Sequence, residues 1–130
     1  MKQIRIRAEN NDINKNQYYS FEITYFEDGI ADLMMFMGKL PGKTMLISEN
    51  KIIDHKQISK ISNQLSMFRP LKNQDPNVAN ETKQITIYQN YQARKVDIQA
   101  NDLHGLELFN ECVALYDPMI ESRMEHFVDK

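Results

Sequence analysis

Residues 53–69 read IDHKQISKISNQLSMFR. Asp54 can accept a hydrogen bond from the free N–H groups of a first helical turn, and Gln57, three residues on, can reach back to it, which makes a capping box. Ile53 and Ile58 stand where a hydrophobic staple would put them. Ile58, Ile61, Leu65 and Phe68 then recur at helical spacing and form one apolar stripe, while Lys56, Lys60, Asn63 and Gln64 fall off it. Pro70 ends the helix, because it drives Arg69 out of the helical region. A helix with one apolar stripe needs a surface to cover. The expectation is a scaffold helix lying on a sheet and carrying no chemistry itself.

Upstream, residues 3–8 alternate, with Ile4, Ile6 and Ala8 on one face and Arg5 and Arg7 on the other, which predicts a half-buried strand. Residues 9–17 read as an Asn-rich loop. Residues 18–27 read as a second strand, with Tyr19, Phe21, Ile23 and Tyr25 as the better core face. An antiparallel hairpin of the two can set Arg5 or Arg7 across from Glu22. Asp28 reads as the cap of a short helix, apolar at Ile30, Leu33, Met34 and Met37 and stopped by Gly38. The run LMMFM is apolar nearly all round. Such a helix is buried on two sides or forms an interface, so Met34, Met35 and Phe36 are candidate interface residues for a homodimer or a ligand-binding assembly. Residues 39–43, KLPGK, read as a turn, 44–48 as a strand, and Glu49-Asn50-Lys51 as a further turn leading to the helix.

Downstream, LKNQDPNVANETK at 71–83 is a polar loop with little to bury. Residues 84–99 alternate at Ile85 and Ile87 and again at Val96 and Ile98. They are either two strands joined near Asn90 or one long bent strand. Asp102 caps a last helical region, and Asp117-Pro118 is a cap followed by a first-turn proline, which divides that region into helices near 103–116 and 118–128. The order ββαβα, loop, ββαα predicts a single α+β domain over 1–130. It has a mostly antiparallel sheet of about four to five strands with helices packed on one face.

The chain has 130 residues, 42% apolar and 26% charged, ordinary for one globular domain. Its 16 basic and 18 acidic residues leave a net charge of −2, too balanced for a duplex-DNA binder. With Cys112 alone no internal disulfide forms, so a reducing, cytoplasmic location is expected. No apolar run is long enough to span a membrane, and MKQIRIRAEN has no apolar signal core. Asn, Lys, Ile and Tyr are abundant, as in the products of AT-rich bacterial or phage genomes.

The candidate chemistry is thin. Residues 38–44, GKLPGKT, invite a phosphate-loop reading, but the first glycine is one residue too close to Gly42. A helix is expected before the run and a strand after, the reverse of what an anion at a helix N-terminus needs. His104, Glu107 and Glu111 share one helix face, yet no second helix carries a matching Glu-x-x-His pair, so no metal is expected. Cys112 lies beside the apolar stripe of the last helical region and reads as a buried, inert thiol. No nucleophile elbow, zinc pair or dinucleotide glycine pattern occurs, so neither enzyme nor cofactor is expected.

A protein without a catalytic constellation acts through its surface. In size, composition and lack of motifs, the chain resembles bacterial toxin-immunity proteins and phage anti-defence proteins. That resemblance implies a small inhibitor blocking a partner protein by shape and charge. The acidic helix faces, Glu107, Glu111, Glu121 and Glu125, would meet a basic nuclease, toxin or nucleic-acid-binding surface, and the 71–83 loop is a second candidate surface. The alternative is single-stranded RNA held on an outer sheet face by Arg5, Arg7, Arg94 and Lys95 with Tyr18 and Tyr88 for stacking.

Overall fold

The structure, a computed structural model, describes residues 2–12, 17–39, 42–71, 81–120 and 122–123. The alternation at Ile4, Ile6 and Ala8 builds β1 (Gln3–Asp12), which pairs antiparallel with β2 (Gln17–Phe26). The register sets Ile4 opposite Tyr25, Ile6 opposite Ile23 and Ala8 opposite Phe21, so one face of the hairpin is apolar. The expected Asn-rich loop is shorter than 9–17, because both strands run into it, and residues 13–16 lie outside the described residues.

The predicted helix after Asp28 is instead a strand, β3 (Ile30–Lys39), paired along β2. Asp28 accepts the N–H of Ile30 at 3.1 Å. A helix cap and a turn use this same local bond, so the aspartate alone cannot separate them. Gly29 decides for the turn. Its φ is +102°, and a Cβ there would stand 2.6 Å from the carbonyl oxygen of Ile53. The run LMMFM then buries Leu33 and Met35 towards the core, while Met34 and Phe36 are half-buried on the opposite face. Pairing on both edges overrides the helix propensity of Leu and Met.

β4 (Gly42–Ile52) pairs with β3 and takes in Glu49-Asn50-Lys51, which therefore form strand and not the expected turn. Of the KLPGK turn, Leu40 and Pro41 lie outside the described residues; Lys39 and Gly42 on either side are paired. α1 (His55–Met67) follows, with Asp54 accepting the N–H of Lys56 at 2.9 Å. Ile53, Ile58, Ile61, Leu65 and Phe68 are all buried, as the staple and stripe require, while Gln57 stays exposed.

Of the expected 71–83 loop, residues 72–80 lie outside the described residues and 81–83 belong to β5 (Glu81–Gln89). β5 pairs with the free side of β1, and β6 (Gln92–Ile98) pairs with β5. Asn90 and Tyr91 join β5 to β6 with φ of 53° and 63°, the backbone of a two-residue type I′ hairpin turn. α2 (Leu103–Tyr116) is capped by Asp102, whose carboxylate accepts from Gly105 at 2.9 Å and from Leu71 at 3.2 Å. Past it, Asp117 accepts the N–H of Met119, and Arg123 N–H donates to Met119 O, the start of the expected last helix. Glu121 and residues 124–130 lie outside the described residues.

The described residues thus form an α+β arrangement in the order ββββαββα, with a six-stranded antiparallel sheet ordered β4-β3-β2-β1-β5-β6. This is more than the four to five strands expected, because β3 replaces a helix. The stripe of α1 and the buried side of α2 (Leu108, Phe109, Cys112, Val113, Tyr116) join the apolar sheet face in one core. The opposite sheet face carries no helix among the described residues. None of the described helices is long and apolar enough to cross a membrane.

Candidate functional site

α1 and α2 lie side by side on the sheet, and their outer surfaces meet in a groove of about 390 Å³ lined by Gln64, Met67, Phe68, His104, Glu107, Leu108 and Glu111. Helical spacing puts Gln64 and Met67 on one flank of α1, and His104, Glu107 and Glu111 on the facing flank of α2. Phe68 closes the inner end, with the His104 ring edge-on to it at 5.5 Å. Met67 is 80% exposed, and Leu103, one turn before Glu107, is 78% exposed. Among the described residues neither Glu107 nor Glu111 makes an ion pair, and no lysine or arginine lines the groove. The groove therefore combines adaptable apolar surface with two exposed carboxylates. Among the described residues no three His, Cys, Asp or Glu side chains gather as a metal site.

Two of the four predicted acidic residues, Glu107 and Glu111, belong to this groove; Glu121 and Glu125 lie outside the described residues. Sequence reasoning did not anticipate that α1 supplies the opposing wall. The signal was present in Met67, an apolar residue outside the stripe.

The outer sheet face brings together only part of the proposed RNA set. Thr24, Arg5, Thr86 and Lys95 form one cross-strand row, and Gln3, Tyr88 and Ala93 belong to the next. Arg5 is already engaged. Its Nε lies 2.8 Å from Glu22 Oε1, Nη1 donates to Tyr88 Oη at 3.4 Å, and the guanidinium stands 5.3 Å from the Tyr88 ring centre. Arg7 pairs with Glu9 at 3.1 Å. Tyr18 occupies the β2 position paired with Asn11 and Gly38.

Arg94 is not on this face. It is in phase with Val96 and Ile98, so it turns toward the helices and donates to Leu65 O at 3.1 Å and Phe68 O at 2.8 Å. These carbonyls lie at the C-terminal end of α1, where the regular helical ladder runs out; Leu65 O also accepts the Phe68 N–H at 3.3 Å, and Phe68 O accepts Arg69 Nη1 at 3.0 Å. A cation there also meets the negative end of the helix dipole.

Cys112 is buried in the core. Burial, and after it the charge of Glu111, pushes its thiol up to about 12, so the thiolate a nucleophile needs is not available at neutral pH. The Tyr25 hydroxyl donates to the carbonyl of Cys112, and burial raises its pKa above the ordinary tyrosine value.

A polar cluster on the helix-facing side of β4 completes the described ionisable groups with clear perturbation. Tyr116 Oη donates to Glu49 Oε1 at 3.0 Å, Lys51 Nζ donates to the Tyr116 carbonyl, and Arg123 bridges Glu49 at 2.9 Å and Asp117 at 3.1 Å. The Arg123 hydrogen bond holds Glu49 below its ordinary value. Asp117 is held down first by the Met119 N–H and then by Arg123. The cluster fastens the chain after α2 to an edge strand. No family model matches the chain, and no curated protein matches it in sequence.

Proposed function

We propose that this chain is a protein-binding module that inhibits a partner by holding a basic, partly apolar segment of it in the groove between α1 and α2. The observation that carries this reading is the pairing of unanswered carboxylates, Glu107 and Glu111, with the exposed Met67 across the same groove. Opposite charge speeds encounter and sets register, while a methionine wall adapts to the side chains laid against it. Masking a basic surface is how such a module would block a nuclease, toxin or nucleic-acid-binding complex. This continues the likeness to immunity and anti-defence proteins.

The test is capture of a stoichiometric partner by the tagged chain, followed by reconstitution with the purified partner. Glu107→Lys combined with Glu111→Lys weakens that complex by about tenfold or more, and wild-type affinity falls with added salt. The double variant unfolds within about 0.5 kcal/mol of wild type, since both positions are exposed. Unchanged affinity would remove this groove as the binding surface.

Single-stranded RNA on the outer sheet face is the weaker reading. Arg5 and Arg7 are partnered by Glu22 and Glu9, and Asp97 shares the Arg7 row through Gln84, leaving little net positive charge for phosphates. A ribonuclease-sensitive 260 nm absorbance in the purified protein, lost in Arg5→Glu, would restore it.

A further inference from the structure

The opposite flank of α1 faces a different surface. A hollow of about 370 Å³ opens between α1 and the sheet end formed by the start of β1, the end of β2 and the β5–β6 turn. A second of about 280 Å³ adjoins it, sharing Lys2, Ser62, Gln89 and Asn90. Ser62 lines both. It is 3% exposed, and its Oγ has no hydrogen-bond partner. A helical serine ordinarily satisfies itself on a carbonyl one turn back, as Ser66 does on Asn63 O at 2.7 Å. A buried hydroxyl left without a partner is destabilising and calls for an explanation, of which a bound ligand group is one.

The chemistry around Ser62 is specific in kind. Ser59, Asn63, Gln89 and Asn90 are hydroxyl and carboxamide groups that both donate and accept. The charged lining residues of the larger hollow are Lys2 and Glu27, of opposite sign, so neither an anion nor a cation is favoured. Arg94, at the rim of the smaller hollow, spends its guanidinium on the carbonyls of Leu65 and Phe68 and is not free to bind phosphate. Ile4, Ile58 and the Tyr25 ring add apolar surface, with the Tyr25 hydroxyl committed to Cys112. Apolar surface with a rim of donor-acceptor groups matches a molecule that has C–H faces and a hydroxyl edge.

We propose that this hollow binds a neutral polyhydroxylated small molecule, a monosaccharide or cyclic polyol, with Ser62 Oγ as its most deeply buried hydrogen-bond partner. The site is on the other flank of α1 from the Glu107 and Glu111 groove and does not depend on it. The experiment titrates ¹⁵N-labelled protein with D-glucose, N-acetyl-D-glucosamine and myo-inositol, with inorganic phosphate as the charged comparator. Saturable shifts at the amides of Ser62, Asn63 and Asn90 are expected with at least one neutral probe, and none with phosphate.

Ser62→Ala and Asn63→Ala each weaken that binding by about tenfold. Without ligand, Ser62→Ala melts at or above the wild-type temperature, because the hydroxyl it removes has no partner. Glu107→Lys with Glu111→Lys leaves the sugar-induced shifts unchanged, which separates this site from the protein-binding groove. Silence from all three neutral probes, shifts that survive Ser62→Ala, an equal response to phosphate, or a lower melting temperature for unliganded Ser62→Ala each overturn the proposal. The last of these would mean that the hydroxyl is already satisfied by water held within the fold.

Discussion

The two free edges of the sheet are closed by the same device in different chemistry. At β6, Arg94 turns inward and donates to the last carbonyls of α1. At β4, Glu49 and Lys51 turn inward and meet Tyr116 and Arg123 at the end of α2. A bare edge strand is a template for another chain, and inward charges make that pairing costly. β4 adds a register shift where Met35 and Phe36 face it, which bends the edge further from a flat template. Both edges therefore argue against strand addition as the way this protein meets a partner, and turn attention to the helix flanks. The edges differ in one respect that can be measured. Backbone carbonyls do not titrate, whereas Glu49 does.

The largest effect is expected at β6. Arg94→Ala removes one charge-assisted hydrogen bond from each of two carbonyls, leaving Leu65 O with the Phe68 N–H and Phe68 O with Arg69 Nη1, and lowers stability by about 2 kcal/mol in urea unfolding. Arg94→Lys restores only part, since a single ammonium cannot reproduce the two-pronged geometry of the guanidinium. A loss under about 1 kcal/mol would mean that water and the remaining Phe68 and Arg69 donors serve those carbonyls as well as Arg94 does, and the edges would then differ in name only.

At β4 the expected loss is smaller and depends on pH. The Arg123–Glu49 pair is part-exposed, with side chains 29% and 40% accessible, so Arg123→Ala costs about 0.5–1 kcal/mol at neutral pH. Glu49 and Asp117 titrate below their ordinary values of 4.5 and 3.8. A carboxyl with a depressed folded pKa contributes stability above its unfolded value and loses it as pH falls through the folded one. Wild type and Arg94→Ala should therefore lose this contribution together from about pH 4.5 downward, the curves staying parallel. In Arg123→Ala the Glu49 part of that slope shrinks to what the Tyr116 hydroxyl and the Lys51 charge still hold, while Asp117 keeps the part due to the Met119 N–H. Parallel acid limbs for Arg123→Ala and wild type would remove the electrostatic distinction between the edges.

This contrast also shows what the sequence makes legible. The α1 stripe and the alternation of β1 and β2 are clear because each element gathers its buried apolar side chains on one side, so a single period stands out. β3 carries apolar residues on both faces, and its outward Met34 and Phe36 are themselves half-buried. The period-two signal is therefore erased, and Asp28 looks like a helix cap. Arg94 was readable: it stands two residues before Val96 and must share the face of Val96 and Ile98. Chemical type, a basic residue beside Lys95, misleads where parity would have decided. Ser62 was readable too. It is four residues after Ile58 and three before Leu65, a polar residue within the apolar stripe. The groove itself was not readable, because which flank of α1 faces which flank of α2 depends on the sheet order that sets both helices down.

The smallest expected effect is the coupling between the edges. Arg94 and Arg123 act at opposite ends of a six-stranded order, with β4 and β6 outermost, and share no hydrogen-bond partner. Their single losses should add in the Arg94→Ala, Arg123→Ala double variant to within about 0.5 kcal/mol. The two closures do touch indirectly, because Arg94 fastens the end of α1, the Arg123 cluster fastens the end of α2, and the helices contact each other. If loosening one helix end loosened the other, the double variant would be more stable than the sum of the two losses allows, since the first substitution would already have released what the second holds. A coupling above about 1 kcal/mol would mean that the helix pair moves as one lid over the sheet. The groove at Glu107 and the hollow at Ser62 would then report on the same motion. Additivity would instead make them two sites on one helix that can be occupied independently, which the expected retention of sugar-induced shifts in the Glu107→Lys, Glu111→Lys variant requires.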